Sequence, residues 1–322
     1  MIEALAFLIV GLVLLVYAAD KFVMGAAATA SYLGVSSMVV GLIVIGFGTS
    51  APEMVISAIA ALQGNPGLAL GNAVGSNTTN IALVLGVGII VSPLMIGSNT
   101  VKREMPILLL VTLFVMLLMW DGEQTRLDGA ILITSMFAMT LWMAWLGLKQ
   151  SKNKDNLQKE FEAELPQDVS KKAAWLWLLF GMIMLPVASH SMVHGATTIA
   201  QMLGMTDVVI GLTVVALGTS LPELSATIAC MKKKEYDLAL GNIVGSNMFN
   251  LLGVLGISAS IKAYKLPENF LATDYFLMLN LTLALLLFSM FSVARKKPIP
   301  RAAGYFFVII YCVYMFWLFK RG

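Results

Sequence analysis

Glu53 and Glu223 are the two residues of this chain best suited to chemistry. Each lies inside a strongly apolar stretch, and inserting an ionised side chain into hydrocarbon costs at least ~2.5 kcal/mol. Neither stretch contains a Lys or Arg in its apolar core that could pair with the carboxylate. We therefore expect each glutamate to bind a cation, a proton, or both in turn.

Hydroxyl-bearing residues precede each glutamate at helical spacing. Thr49 and Ser50 lie four and three residues before Glu53, so all three share one face of a helix. Pro52 cannot donate a backbone hydrogen bond and crowds the preceding turn, so it predicts a break that leaves backbone carbonyls free to bind something. The same arrangement recurs in the second half of the chain, at Thr219, Ser220, Pro222 and Glu223.

The following apolar stretch carries a polar stripe, with Asn72, Ser76 and Asn80 each four residues apart. Small polar residues in membrane helices usually serve helix packing. Because this stripe accompanies a glutamate and a helix-breaking proline, we expect it to line a binding site instead. The counterpart stripe is Asn242, Ser246 and Asn250, and the glycines that should let helices approach closely are Gly71, Gly75, Gly241 and Gly245.

The donors in these segments are carboxylate, hydroxyl, amide and carbonyl oxygens, with no thiol or imidazole among them. Such ligands suit hard cations such as Ca²⁺ and Na⁺ rather than Zn²⁺ or Cu⁺. Two carboxylates balance the charge of one Ca²⁺ or two Na⁺, so the two ions should compete. Without an ion the two carboxylates would repel each other, so protons should compete as well.

An internal repeat places these residues. Residues 48–86 recur without a gap at 218–256, with 18 identities in 39 positions. The shared residues include the motifs GTSxPE and GNxVGSNxxN, and such polar motifs rarely recur by chance in an apolar chain. Two copies of a polar motif predict one site that is built from both halves of the chain.

The composition predicts an all-α polytopic membrane protein. The chain is 59% hydrophobic and 12% charged, with a mean hydropathy of +0.86. The start of the chain reads as a retained helix rather than a signal peptide. Cys230 and Cys312 support neither a disulfide framework nor a metal cluster. The first helix could continue towards residue 31, because AAATASYLG is compatible with a helix. The ten expected spans are roughly 2–19, 37–62, 68–92, 105–120, 127–148, 174–201, 208–231, 238–261, 271–294 and 302–319.

A polar segment from Lys149 to Lys172 separates the spans into two sets of five. It is too short for a folded regulatory domain. The expected organisation is therefore a first five-helix repeat at 1–148, a cytoplasmic linker at 149–173 and a second five-helix repeat at 174–322.

The distribution of Lys and Arg predicts the orientation. Alternate loops carry 16 of the basic residues, beginning with Lys21, and the other set carries 5. The positive-inside rule then places the first set in the cytoplasm and both termini outside. Because five spans separate corresponding helices, the second repeat must cross the membrane in the inverted sense, with its broken helix at the midplane.

The paired GTSxPE and GNxVGSNxxN motifs, the five-plus-five arrangement and the charged linker resemble the sodium/calcium exchanger family of the cation/calcium antiporter superfamily. The resemblance spans essentially the whole chain and favours the prokaryotic inner-membrane type. It implies a transporter rather than an enzyme, which exchanges Ca²⁺ for Na⁺ by alternating access. It implies no cofactor and no partner beyond the ions and the lipid bilayer, neither nucleic acid nor an obligate protein.

The resemblance also implies a ligand set for the transported ions. Weaker contributions would come from the carbonyls of Gly46 and Ala216, and the first and sixth spans would form a sliding gate. Some family members carry Asp where this chain has Asn250, so potassium dependence is not expected here. The implied ligands are Thr49, Ser50, Glu53, Ser76, Asn80, Thr219, Ser220, Glu223, Ser246 and Asn250.

Other functions stay open at this point. The same glutamates could carry protons in a Ca²⁺/H⁺ exchanger, and a passive cation channel or an intramembrane enzyme are further alternatives. His190 and His194 share a helix face at metal-ligand spacing, and a metal site or a gating or pH-sensing role is an alternative, but packing within the membrane is the expected role. Carboxylates near span ends, where solvent is available, are expected to have no special role: Asp20, Glu104, Asp207 and Asp274.

Overall fold

The computed structural model of the protein describes residues 1–32, 50–96, 103–151, 170–233 and 236–321 and is almost entirely helical there. Helices suit such an apolar chain because they satisfy their own backbone hydrogen bonds. In chain order the α-helices are α1 (Ile2–Tyr32), α2 (Ala51–Leu62), α3 (Pro66–Thr79), α4 (Gly86–Val91), α5 (Met105–Leu118), α6 (Arg126–Ser151), α7 (Lys171–Leu203), α8 (Asp207–Ile210), α9 (Ala216–Thr219), α10 (Leu221–Lys233), α11 (Tyr236–Phe249), α12 (Leu255–Ile261), α13 (Phe276–Arg295) and α14 (Arg301–Arg321).

The long helices α1 and α7 pack against each other in antiparallel orientation through glycines. A Cβ added to Gly25 would lie 2.4 Å from the backbone nitrogen of Leu178, and one added to Gly195 would lie 2.5 Å from that of Leu8. Only a residue without a side chain permits this approach. The two contacts are related by the repeat offset, because both glycines and both leucines lie 170 positions apart.

Lys21 lies within α1 rather than in a loop, which corrects the sequence-based assignment. The helix continues well beyond residue 19 to Tyr32. The Lys21 ammonium group lies 5.4 Å from the centre of the Tyr17 ring and 5.1 Å from that of Trp177. These cation–π contacts are compatible with a helical position for the charge.

A short break separates α9 from α10. Ser220 has φ −84° and ψ 5°, outside the α-helical region. Ser50, at the equivalent position before α2, has φ −89° and ψ 0°. The break at Ser220 and the residue that precedes α2, Ser50, each lie two residues before a proline, as expected from the missing N–H of Pro222 and Pro52 and the crowding of the preceding turn. The residues before Ser50 lie outside the described part of the chain.

Wider π-helical turns interrupt the helices at further points. One begins at Asn80 and another at Asn250, again 170 positions apart. Such turns often accompany functional sites because they redirect side chains and loosen the backbone ladder. Other π-helical segments lie at Gly211–Val215 and Leu271–Tyr275.

The predicted close approach of helices at glycines is confirmed in the first repeat. A Cβ on Gly71 would lie 2.3 Å from the carbonyl oxygen of Val208, and one on Gly75 would lie 2.7 Å from the Cα of Leu212. Helix α3 therefore packs backbone to backbone against the segment that leads into the break at Ser220. Gly241 and Gly245 have no neighbour of this kind among the described residues.

Short strand pairings join loops at the ends of the helices. Strand β1 (Glu123–Gln124) pairs antiparallel with β2 (Tyr264–Lys265), and Glu123 and Lys265 form an exposed ion pair of 3.2 Å. A separate bridge links Leu94 to Ile299. Each pairing joins loops that the Lys and Arg distribution assigns to one side of the membrane.

Several helices are long and apolar enough to cross a membrane. Among the described residues, four stretches meet this test by length and composition, and shorter apolar helices accompany them. Large apolar side chains are exposed along the helices, including Leu110, Leu117 and Phe316. The four stretches are Pro66–Val91, Ala239–Ile261, Leu271–Arg295 and Arg301–Lys320.

Candidate cation site

The two glutamates lie in the first turns of α2 and α10, shortly after Ser50 and Ser220. Both side chains are fully buried, with 0% exposure. A helix N-terminus carries partial positive charge, which favours a carboxylate at this position. Glu53 and Glu223 also interact electrostatically with each other across 170 positions of sequence. Two halves of the chain therefore bring two like charges into one buried region.

The Glu53 carboxylate has an environment that suits a cation. Neither of its oxygens has a hydrogen bond of standard geometry among the described residues, although the Thr219 hydroxyl and the backbone N–H of Glu53 are near enough to interact with it. An ionised carboxylate that is buried without compensation is strongly unfavourable. A bound cation or a proton would remove this cost.

Glu223 is held by the polar stripe of its own repeat. The Ser246 hydroxyl donates to its Oε1 at 3.4 Å. Ser246 is itself fully buried. The structure thus brings together two of the predicted ligands from the second repeat.

A hydrogen-bond network joins the polar stripe of the first repeat to the break of the second. The amide oxygen of Asn72 accepts from Ser76 at 3.4 Å and from Thr219 at 3.3 Å. The hydroxyls of Ser76 and Thr219 also lie 3.3 Å apart. The Asn72 amide nitrogen donates to the backbone carbonyl of Glu53 at 3.3 Å and to Ser57 at 3.1 Å. This network therefore positions three predicted ligands at once.

The carbonyl of Ala216 already has two donor groups within hydrogen-bond distance. It accepts from the backbone nitrogen of Ser220 at 3.1 Å, and the hydroxyl of Thr219, which has one hydrogen to share between Asn72, Val215 and Ala216, lies 3.3 Å away. Together these two groups can occupy the usual acceptor directions of a carbonyl oxygen. Gly46, its expected counterpart, lies outside the described residues, as does Thr49.

Ser50 and Ser220 occupy equivalent positions before α2 and α10. Both side chains are buried, and neither hydroxyl has a hydrogen-bond partner among the described residues. A hydroxyl in this situation can act as a neutral ligand to a cation. Each of these buried hydroxyls therefore lies shortly before one of the two glutamates in the sequence.

The helices that carry the two stripes also contact each other through asparagines. The Asn80 amide donates to the amide oxygen of Asn247 at 3.1 Å. The Asn77 amide donates to the backbone carbonyl of Asn247, also at 3.1 Å. Asn250 is fully buried, and no hydrogen bond of its side chain is found among the described residues. Sequence reasoning did not single out Asn77 and Asn247, although both copies of the GSN triplet contain them.

The two histidines lie apart from this region, on the exposed surface of α7. His190 Nδ1 is 3.0 Å from the amide nitrogen of Gln63. The His194 ring packs edge-on against Phe7, with centroids 5.3 Å apart. Among the described residues, no group of three or more His, Cys, Asp or Glu side chains could hold a metal ion.

Asp274 differs from the sequence-based expectation of a solvated carboxylate. Its side chain is 1% exposed and accepts from the Tyr314 hydroxyl at 2.9 Å. The Thr273 hydroxyl donates to it as well, at 3.0 Å. A π-helical turn at Leu271–Tyr275 contains this residue, and sequence periodicity did not reveal that turn.

An apolar helical chain with a buried, oxygen-lined polar region defines a multi-pass membrane protein that handles small cations. The sequence model of the sodium/calcium exchanger protein family matches this chain over residues 3–145 and 173–320. The chain therefore belongs to the sodium/calcium exchanger family and is a cation antiporter.

Curated relatives share the full length of the chain. The putative antiporter CaxA of Alkalimonas amylolytica is 43% identical over 320 residues, which is 99% of this chain and 100% of that protein. The inner membrane protein YrbG of Escherichia coli is 36% identical over 326 residues, covering 99% of this chain and 98% of YrbG. The sodium/calcium exchanger MaX1 of Methanosarcina acetivorans is 28% identical over 350 residues, covering 97% of each chain.

Solved structures agree with these relatives. The sodium-calcium exchanger NCX_Mj, soaked with 2.5 mM Na⁺ and 0.1 mM Ca²⁺, matches with a TM-score of 0.65 and 32% identity, covering 97% of each chain. Similar matches occur for crystals of the same exchanger soaked with zero Na⁺ and Ca²⁺, at a TM-score of 0.64. CaxA is named a putative antiporter, MaX1 and NCX_Mj are named exchangers, and the name of YrbG states only that it is an inner membrane protein.

Proposed function

We propose that the protein is a secondary antiporter that exchanges Ca²⁺ for Na⁺ by alternating access. The observation that carries the proposal is the Glu53 carboxylate, which is fully buried, lacks a hydrogen bond of standard geometry among the described residues and lies near enough to Glu223 for the two to repel each other when ionised. One Ca²⁺ or two Na⁺ would balance these two charges. The name of the matched exchanger NCX_Mj supports the same pair of ions.

The proposed ligands combine the two carboxylates with neutral oxygens. The hydroxyls of Ser50 and Ser220 and the amide oxygen of Asn80 are buried and have no hydrogen-bond donor among the described residues. Such a mixture of charged and neutral oxygens suits hard cations. The full proposed set is Thr49, Ser50, Glu53, Ser76, Asn80, Thr219, Ser220, Glu223, Ser246 and Asn250.

We further propose a ten-helix inverted repeat with its broken helices at the membrane midplane. The 170-residue offset between the Gly25–Leu178 and Gly195–Leu8 contacts supports this layout. The pairing of loops expected on the same side supports it too, as where the Lys262 ammonium donates to the carbonyl of Gly64 at 3.2 Å. The proposed units are 1–148, the cytoplasmic linker 149–173 and 174–322, in a bacterial inner membrane with both termini outside.

A Ca²⁺/H⁺ exchanger is the second candidate, because a proton would also neutralise the buried Glu53. A passive channel is a weaker candidate. A helix break at Ser220 beside a buried site, with the same Ser–x–Pro–Glu sequence at Ser50, favours alternating access over an open pore.

Radiolabelled Ca²⁺ uptake into proteoliposomes separates these functions. The vesicles would be loaded with Na⁺, with K⁺, or with K⁺ and an imposed pH gradient. Uptake that requires internal Na⁺ supports the proposal, and uptake driven only by the pH gradient supports the proton-coupled alternative. Uptake in K⁺-loaded vesicles without any gradient, at rates far above transporter turnover, would indicate a channel.

A further inference from the structure

We propose that Asn247 is a positioning residue that orients the Asn80 side chain for cation binding. The inference rests on the proposed function, because it concerns how one proposed ligand is held. Asn247 Oδ1 accepts from Asn80 Nδ2 at 3.1 Å. Asn80 Oδ1 is buried and has no hydrogen-bond partner among the described residues.

An asparagine can serve a cation only through its carbonyl oxygen, because its amide nitrogen carries two donor hydrogens. An amide that rotates freely would present either end to the ion. The bond from Asn80 to Asn247 occupies the nitrogen end. The oxygen end is therefore the group that is left for a cation.

Asn247 is itself fixed at the junction of the two repeats. Its backbone carbonyl accepts from the Asn77 amide at 3.1 Å, and Asn77 is its counterpart at the repeat offset of 170. Asn77, Asn80 and Asn247 are all at most 1% exposed. The loss of a hydrogen bond in such a buried region is destabilising, because the separated groups cannot form hydrogen bonds with water instead.

The arrangement is asymmetric between the repeats. The bond equivalent to Asn80–Asn247 would run from Asn250 to Asn77. Within the part of the chain that the structure describes, neither Asn250 Nδ2 nor Asn77 Oδ1 has a hydrogen-bond partner. Of the proposed ligands Asn80 and Asn250, only Asn80 is therefore held by an asparagine side chain of the other repeat. Asn247 should thus affect cation affinity through Asn80.

A double-mutant cycle tests this role. The full-length protein in detergent would be titrated with Ca²⁺ in K⁺ buffer, and the apparent affinity would be taken from the rise in melting temperature. The variants are Asn247→Ala, Asn80→Ala and the double substitution. The matched control is Thr78→Val, because Thr78 is equally buried but among the described residues bonds only to Val74 of its own helix, at 2.9 Å.

The expected result is that Asn247→Ala weakens Ca²⁺ binding by roughly 5- to 10-fold, as for the loss of one buried hydrogen bond. In the Asn80→Ala background the same substitution should cause no further loss, because two residues that act as a unit are not additive. Thr78→Val should leave the affinity unchanged.

Several outcomes would overturn the inference. Fold-changes that multiply in the double variant would mean that Asn247 does not act through Asn80, and an unchanged affinity in Asn247→Ala would mean that it does not act at all. If Asn247→Ala does not fold, Asn247→Asp keeps the acceptor and should bind Ca²⁺ at least as well as the unmodified protein; weaker binding would contradict the inference. A lack of any Ca²⁺ effect on the unmodified protein would remove the proposed function and this inference together.

Discussion

The hydroxyl of Thr219 lies 3.3 Å from the hydroxyl of Ser76, so the helix break of the second repeat contacts the polar stripe of the first. The two residues are 143 positions apart in sequence. Thr219 also donates to Asn72 of the same stripe. One buried hydroxyl thus joins the two halves of the proposed cation site.

Thr219→Val should weaken cation binding without unfolding the protein. The substitution keeps the shape of the side chain and removes the hydroxyl that bonds Ser76 and Asn72. The loss of one to two net hydrogen bonds at about 1 kcal/mol each predicts roughly a 5- to 30-fold rise in the Ca²⁺ concentration for half-maximal uptake. Thr213→Val is the matched control, because Thr213 is also buried and, within the described part of the chain, bonds only to Val209, one helical turn earlier. Equal effects of the two substitutions would contradict this account.

Glu53→Gln and Glu223→Gln should each abolish Ca²⁺ transport. Either change removes one of the two negative charges that balance the ion, while the side-chain shape is kept. The remaining carboxylate is no longer repelled by a second one. Membrane insertion and the melting temperature should therefore be retained or improved. Glu123→Gln is the control, since Glu123 lies on the surface in an exposed ion pair. Near-normal transport by either buried-site variant would remove Glu53 or Glu223 from the proposed ligands.

Gly25→Ala and Gly195→Ala should destabilise the protein to a similar extent. Each added Cβ would lie within 2.5 Å of backbone atoms of the opposing helix, which cannot move without separating α1 from α7. Gly88→Ala is the control, because its nearest neighbours are the side-chain atoms of Thr227 and Met231, at 3.0 and 3.2 Å. There the gain in helix propensity of about 1 kcal/mol should offset the contact. Thermal unfolding in detergent would measure the stability of all three variants. A large loss of stability for only one of Gly25→Ala and Gly195→Ala would argue against the repeat symmetry.

Single cysteines should reveal the orientation. In a background without Cys230 and Cys312, Glu123→Cys should react with a membrane-impermeant thiol reagent on intact cells. Lys297→Cys should react only after the cells are opened. Both positions are exposed, so accessibility depends on the side of the membrane. The reverse pattern would place the termini in the cytoplasm.

The sequence was informative wherever a residue conflicted with its apolar surroundings. Glu53 and Glu223 stand out for this reason, and Pro222 predicted the break at Ser220. The GSN asparagines were missed, because a short polar side chain in a membrane helix reads as ordinary packing until its partner across the repeats is known. The burial of Asp274 was also missed, because it depends on Tyr314, which is far away in sequence. The π-helical turns have no periodic signature that distinguishes them from α-helix.

Direct Ca²⁺ binding is the measurement that tests the central claim most closely. Equilibrium binding of radiolabelled Ca²⁺ to the purified protein would be compared with Glu53→Gln, Glu223→Gln and Glu123→Gln, each with and without competing Na⁺. The account predicts binding that Na⁺ displaces, that persists in Glu123→Gln and that is lost in both buried-site variants. Ca²⁺ binding that survives in Glu53→Gln and Glu223→Gln would contradict the proposal that these two carboxylates hold the ion.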